Sequence, residues 1–234
     1  MNPDASSFDV LTFDCYGTII DWETGLLRTL KPILDAHSVS ISDEHLLEKY
    51  GQFEAELQAG TYRRYADILA SALAAFGREH GFEPSERELL DFSRSVQHWP
   101  PFADSAAALR ALQTKFRLVV LSNIDDDLFE FSRAQLQGVR FDRVFTAQQI
   151  GSYKPSTRNF HYMLERVGVR RERVLHVAQG LFHDIAPTHA LGIRNVWVNR
   201  RKDKVGSGAT LASDTVPDYE VPDLRSLAQV FGLD

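Results

Sequence analysis

The strongest constraint on this chain is an alternation. After Trp99-Pro100-Pro101-Phe102, helical periodicity near Ser105 to Lys115, Leu128 to Leu136, Asn159 to Val167 and Asp184 to Leu191 alternates with short β-rich runs. Those runs are Leu118 to Leu121, Arg143 to Thr146, Val174 to Val177 and Asn195 to Val198. Strands separated by helices require right-handed βαβ crossovers, which build a mainly parallel sheet covered on both faces. One more apolar run, Phe8 to Phe13, ends abruptly in the polar loop Asp14-Cys15-Tyr16-Gly17-Thr18. It reads as a buried strand feeding a loop at its carboxyl end. From Trp22 to Val96 the pattern is helical only, with Leu26, Leu30, Ile33 and Leu34, then Leu46, Leu47, Tyr50 and Phe53, then Ile68, Leu69, Leu73 and Phe76. The proline pair ends that block, since each proline lacks an amide donor and disfavours helix in the residue before it. The fold class is therefore α/β: a parallel-sheet core from 1–19 and 99–234, with a helical domain, 20–98, inserted after the first strand.

A length of 234 residues suits one core with such an insert, and 44% hydrophobic with 25% charged residues describes a globular protein, not a disordered or fibrous one. The formal charge of −6, with no basic block, argues against nucleic acid or an anionic membrane as the main partner. Apolar runs of a few residues fall far short of the roughly 20 needed to span a bilayer. Cys15 is the single cysteine and Met1 to Ser7 is polar, so no disulfide or secretory leader is expected and the cytoplasm is the expected compartment.

In sheets of this kind the ligand crevice lies outside the carboxyl ends of the strands. Four polar clusters fall there: Asp14 with Thr18, Ser122 with Asn123, Lys154 before Pro155, and Gln179 to Asp184. A carboxylate, a hydroxyl, an ammonium and a second acid supply a nucleophile, an anion-orienting donor and a charge-neutralising group.

In this order the four clusters resemble the motifs of the haloacid dehalogenase superfamily, and Tyr16, two residues after Asp14, resembles its type II (L-2-haloacid) branch. The resemblance implies a Rossmann-like core, an α-helical cap and an aspartyl-ester intermediate. Asp14 would attack C2 of a small 2-substituted carboxylic acid, and water would hydrolyse the ester. Lys154 would pair with Asp14, Thr18 would orient the loop, and Asp184 would contact Lys154 or position the water. Ser122 and the Asn123 amide would receive the substrate carboxylate, with the Asn123 side chain on the leaving group. Tyr16 and Cys15 join the substrate-binding set by their place beside the nucleophile, Cys15 as a packing residue and not as a second nucleophile. A homodimer is implied as well.

The first expectation is an (S)-2-haloacid dehalogenase. The motifs, with Gly206 to Thr210 after Arg200-Arg201, are also similar to azetidine-2-carboxylate hydrolases, which open a ring at C–N. The family's cap arginine is absent from the matching stretch Tyr50-Gly51-Gln52-Phe53, so Arg63 or Arg64 is expected to replace it. Superfamily phosphatases resemble Asp-x-Asp at the first motif and Gly-Asp at the fourth; Tyr16 and Ala178-Gln179 disfavour that alternative. Mg²⁺ belongs to that alternative alone, and the expectation is an enzyme without metal or cofactor, with Lys154 balancing the carboxylates. A non-catalytic binding protein on the same fold is the remaining alternative.

Other features read plainly. His176, His183 and His189 lack the i, i+4 spacing of a helical zinc site and are expected to be structural or surface residues. Asp125 to Asp127 place negative charge at a helix start, and Gly206-Ser207-Gly208 reads as a flexible surface turn.

Overall fold

The computed structural model describes residues 3–204 and 206–233. Val10–Phe13 (β1) is buried throughout, as a strand covered on both faces must be. Leu11 and Phe13 join one apolar cluster and Val10 another, on opposite faces of the sheet. The chain then leaves the sheet for four helices, Trp22–Ala36 (α1), Asp43–Gln58 (α2), Tyr65–His80 (α3) and Glu86–Ser93 (α4). Polar residues start them: Ser42 caps α2, and Ser85 with Glu88 forms a reciprocal capping box at α4.

The chain returns through Ser105–Leu112 (α5) to Arg117–Ser122 (β2), then Asp126–Gln135 (α6), Arg143–Thr146 (β3), Ala147–Ile150 (α7) and Thr157–Leu164 (α8). Val174–Ala178 (β4), Ala186–Ala190 (α9), Arg194–Val198 (β5), Tyr219–Val221 (β6) and Leu224–Val230 (α10) complete it. Every pairing is parallel, in the order β3-β2-β1-β4-β5-β6. The sequence pattern anticipates five of these strands; β6 is a three-residue edge strand, too short to show a period. No helix among the described residues is long and apolar enough to cross a membrane.

Phe13 is level with Val120 of β2 on one side and Val177 of β4 on the other. Three strand ends are thus flush around the residue after Phe13. From β1 the chain builds β2 and β3 on one flank, then crosses to β4 on the other, which opens a crevice at this point.

The neck of the insert is closed by hydrogen bonds from the Phe102 amide and Ser105 hydroxyl to the Ile19 carbonyl, 3.0 and 2.7 Å, and from the Asp21 amide to the Pro100 carbonyl, 2.8 Å. Trp99 is fully buried against α1, where a Cβ on Gly25 would stand 2.2 Å from its Cδ1.

Two further contacts tie helices to core, and each corrects a sequence expectation. The Asp125 carboxylate does not serve its own helix but accepts the Tyr65 and Ala66 amides, 2.9 and 3.0 Å, at the start of α3. Those amides are orphan donors with no partner inside the helix. The Gly206-Ser207-Gly208 stretch leads not into solvent but onto α2: Ala209 is buried, and a Cβ on Gly51 would come within 2.8 Å of its carbonyl carbon. Arg201, just before, spans Glu23 at 2.6 Å and Glu44 at 2.8 Å, so charge pairing and close backbone packing hold a segment that its glycines alone would leave free.

The indole of Trp99 is rigid, so Gly25→Ala should lower stability by about 1–3 kcal/mol, read as a lower urea midpoint with unchanged slope. Gly60→Ala, where an added Cβ meets nothing within 4 Å, should be close to neutral.

Candidate active site

Asp14 continues β1 by one rung, its amide donating to the Val177 carbonyl at 3.0 Å. The chain then folds over itself, with the Ile19 and Ile20 amides both on the Cys15 carbonyl. Gly17 makes this fold at φ +95, and a side chain there would press on Gln179 and Trp22. The turn brings the buried Thr18 back to Asp14, its hydroxyl donating to Asp14 Oδ2 at 2.7 Å and accepting the Gln179 amide at 2.9 Å.

Lys154 arrives from the loop between α7 and α8. Asn123, just past β2, brackets it: the Asn123 Oδ1 accepts the Lys154 amide at 2.8 Å and Nδ2 donates to the Lys154 carbonyl at 2.9 Å. The ammonium is 1% exposed and has three acceptors, Asp14 Oδ1 at 2.9 Å, Asp184 Oδ1 at 2.6 Å and the Leu121 carbonyl at 2.9 Å. All three of its hydrogens are thereby used. Behind Asp184, His176 Nε2 lies 2.9 Å from Oδ1 while Nδ1 lies 2.8 Å from the Thr12 hydroxyl. A carboxylate only accepts, so Nε2 carries a hydrogen and donates it to Asp184.

These contacts set the charges. Burial opposes ionisation of Asp184, but Lys154 and His176 override it and hold the carboxyl down at about 2. Burial lowers the Lys154 ammonium too, and the two carboxylates outweigh this, keeping it above the ordinary lysine range. Asp14 lies the other way: burial and the Asp184 charge push its carboxyl up against Lys154 and Thr18. The group with most to gain from reacting is therefore the one less completely neutralised.

The crevice outside these strand ends is lined by Asp14, Ser122, Lys154 and Asp184 of the core and by Trp22, Glu54 and Tyr65 of the inserted helices. Its cavity of about 40 Å³ has room for about three waters, the scale of a molecule of a few heavy atoms. The Ser122 hydroxyl is buried there without a partner among the described residues, a deficit of about 1–3 kcal/mol that a bound ligand would relieve. As a cation site the donor set is poor. One ammonium holds Oδ1 of both Asp14 and Asp184, and Gln179 brings no charge, whereas Mg²⁺ wants several carboxylate oxygens in octahedral array.

The fold thus brings Asp14, Thr18, Ser122, Asn123, Lys154 and Asp184 together. Of the other expected residues, Tyr16 lines the crevice, while Cys15 and Arg63 fall elsewhere. Tyr16 borders the crevice, but its hydroxyl is bonded to Ser132 at 2.9 Å and its ring stands edge-on to Trp99, so its polar end is used inside the core. Cys15 is fully buried in the apolar core and does not line the crevice, because it points opposite to its neighbour Asp14. Arg63 is exposed, its guanidinium on Ser71 at 3.2 Å, and Arg64, itself half exposed, reaches the exposed Asp127 and the buried Asp125. Both precede the first inward-facing residue of α3, Tyr65, and the turn that buries Tyr65 leaves them outside. The Asn123 side chain, expected on a leaving group, is bound to the Lys154 backbone.

Sequence reasoning missed Glu54, a 4% exposed acid at the crevice wall. A signal existed: Leu46, Leu47, Tyr50, Gly51 and Glu54 form the buried face of α2, and an acid on an apolar stripe is the anomaly. His183 also lines the crevice, its imidazole pushed down to about 4 by burial and thus neutral, and Thr210 reaches it from the segment packed on α2.

Comparison with known proteins agrees with this architecture. A family model described as a haloacid dehalogenase-like hydrolase matches residues 8–192. The chain is 28% identical over 198 residues to (S)-2-haloacid dehalogenase 1 of Pseudomonas sp. (strain CBS-3), covering 80% of this chain and 83% of that protein. It is 25% identical over 208 residues to (S)-2-haloacid dehalogenase 4A of Burkholderia cepacia, covering 83% and 84%. The L-2-haloacid dehalogenase of Xanthobacter autotrophicus, solved with chloropropionic acid covalently bound, shares the fold with a TM-score of 0.77 at 23% identity, over 95% of this chain and 98% of that one. On the match across 8–192, together with the parallel sheet and the four motif clusters gathered at its strand ends, the chain belongs to the haloacid dehalogenase-like hydrolases.

Proposed function

We propose that this hydrolase displaces a halide from C2 of a small (S)-2-haloacid through an ester on Asp14, giving a 2-hydroxy acid. The observation that carries the reading is the placement of Asp14: a carboxylate gripped from both sides by Lys154 and Thr18, facing a cavity sized for a small acid. The names of the Pseudomonas and Burkholderia relatives support the same chemistry.

Asp14 needs no base, since a carboxylate is already ionised at neutral pH. One oxygen attacks C2 as the C2–halogen bond breaks and its electron pair leaves with the halide. Lys154 and Thr18 hold the other lone pairs in place, so the attacking oxygen keeps its line to C2. The partnerless Ser122 hydroxyl and the amides beside it are suited to the substrate carboxylate. Water then attacks the ester carbonyl, releasing the hydroxy acid and restoring Asp14. We further propose that no metal takes part, because Lys154 already neutralises the two carboxylates that would have to bind one.

Asp14→Asn should abolish turnover while leaving binding of (S)-2-chloropropionate intact. A single turnover in heavy-oxygen water should place the label in the Asp14 side chain and not in the product hydroxyl; label in the product alone would rule out the ester. EDTA should leave halide release unchanged.

Because Asp14 must be ionised to attack and its carboxyl is held above the ordinary range, kcat/KM should fall on the acid side at a higher pH than a free aspartate would give. Lys154→Met should move that limb further up, since the ammonium opposes the shift. The same substitution leaves two buried carboxylates uncompensated and should cost about 3–5 kcal/mol in urea unfolding.

A further inference from the structure

Glu54 enters the crevice wall from α2 with an unusual set of partners. The Tyr65 and Tyr50 hydroxyls both donate to Oε1, at 2.6 and 3.2 Å, and stand 3.0 Å from each other. Oε2 accepts no hydrogen bond from any described residue, and no lysine or arginine among them pairs with the carboxyl. The charged and titratable groups facing it are Tyr50 on its own helix, Tyr65 on α3, Tyr16 after β1, Tyr153 beside Lys154, and Asp14, Lys154, His183 and Asp184 across the crevice. Of these, Lys154 is bound to the two aspartates and His183 is neutral.

A carboxylate in that position would be buried, uncompensated and near a second negative charge. Burial raises the Glu54 carboxyl to about 7, against the opposing pull of the two tyrosines and with a small further rise from Asp14. With both phenols donating to Oε1, the proton of the neutral acid sits on Oε2, the oxygen without a partner. Arg63 and Arg64 point elsewhere, which leaves this hydroxyl and the Trp22 indole as donors that the inserted helices bring to the crevice wall.

We propose that Glu54 is the catalytic residue that meets the leaving group, its Oε2–H donating a hydrogen bond to the atom displaced from C2. The proposal rests on the displacement reading above and narrows its substrate class. As the Asp14–C2 bond forms and the C2–X bond breaks, the electron pair leaves with X, which keeps the Glu54 hydrogen bond; no proton need be lost. A neutral donor in place of a guanidinium favours leaving atoms that accept hydrogen bonds strongly, fluorine above chlorine and chlorine above bromine. It requires the protonated acid, so assistance fades as pH rises through about 7.

The test compares wild type, Glu54→Gln and Glu54→Leu on (S)-2-fluoro-, chloro- and bromopropionate across pH. Wild type should lose rate above about pH 7, most with the fluoro acid. Glu54→Gln keeps an N–H donor and should remove that limb. Glu54→Leu should lose about tenfold more rate with fluoride than with bromide, the worth of one hydrogen bond. Equal losses for all three halides, or an unchanged limb in Glu54→Gln, would overturn the proposal.

Folding supplies a control. A carboxyl raised above its unfolded value of 4.5 contributes stability that is complete below 4.5 and lost as pH rises through about 7. Wild type should therefore lose more melting temperature than Glu54→Gln over that window, since the raised Asp14 carboxyl and the lowered His183 imidazole act on both proteins alike.

A second readout does not need turnover. In Asp14→Asn, the infrared carbonyl band that vanishes with Glu54→Gln should shift when (S)-2-chloropropionate is added. An unperturbed band, or none at neutral pH, overturns the Glu54 assignment. Absence of halide release from wild type would instead overturn the displacement reading.

Discussion

One ammonium organises this molecule. Lys154 is buried with three protein acceptors for its three hydrogens, between two carboxylates that would otherwise repel each other. Desolvating those three charges costs several kcal/mol each, and attraction offsets the cost only when the geometry is tight. The surrounding structure supplies that tightness. Flush strand ends bring Leu121 and Asp14 to one level, Asn123 clamps the lysine backbone, and the Thr12–His176 pair fixes the far carboxylate. A loose version of the same site would hold unpaired charge in the core.

The same tightness divides labour between two chemically identical acids. Asp184 takes the shorter bond to Lys154 and the imidazole as well, and is locked as a counter-ion. Asp14 has the longer bond and a neutral hydroxyl, the environment that the proposed displacement asks of its nucleophile. Environment, not residue type, separates nucleophile from support.

Much of this was legible in the sequence for a physical reason. A parallel sheet imposes its period on the chain, so Asp14, Ser122, Lys154 and Gln179 to Asp184 could be placed at one edge from the alternation alone. What stayed hidden depends on side-chain direction. Tyr16 and Cys15 sit beside the nucleophile in sequence, yet one reaches Ser132 and the other the core. Arg63 lies one turn from the crevice and points out. Glu54 lay on a helical face whose neighbours read as core. The segment after Arg201 looked like a loose turn because glycine marks freedom of the backbone and says nothing of what it packs against.

Asp125 joins the two walls of the crevice. It lies two residues past Asn123, which clamps Lys154, and it grips the first amides of α3, whose Tyr65 holds Glu54. A single run of bonded residues therefore links the ammonium beside the nucleophile to the acid on the opposite wall. It works as a ruler: the gap between the two walls is measured through Asp125, away from the neck at Ile19 and Phe102. The Arg201–Glu44 pair and the packing of Ala209 on Gly51 hold α2 to the core by a second route, so the spacing of the two walls is fixed at two points away from the neck.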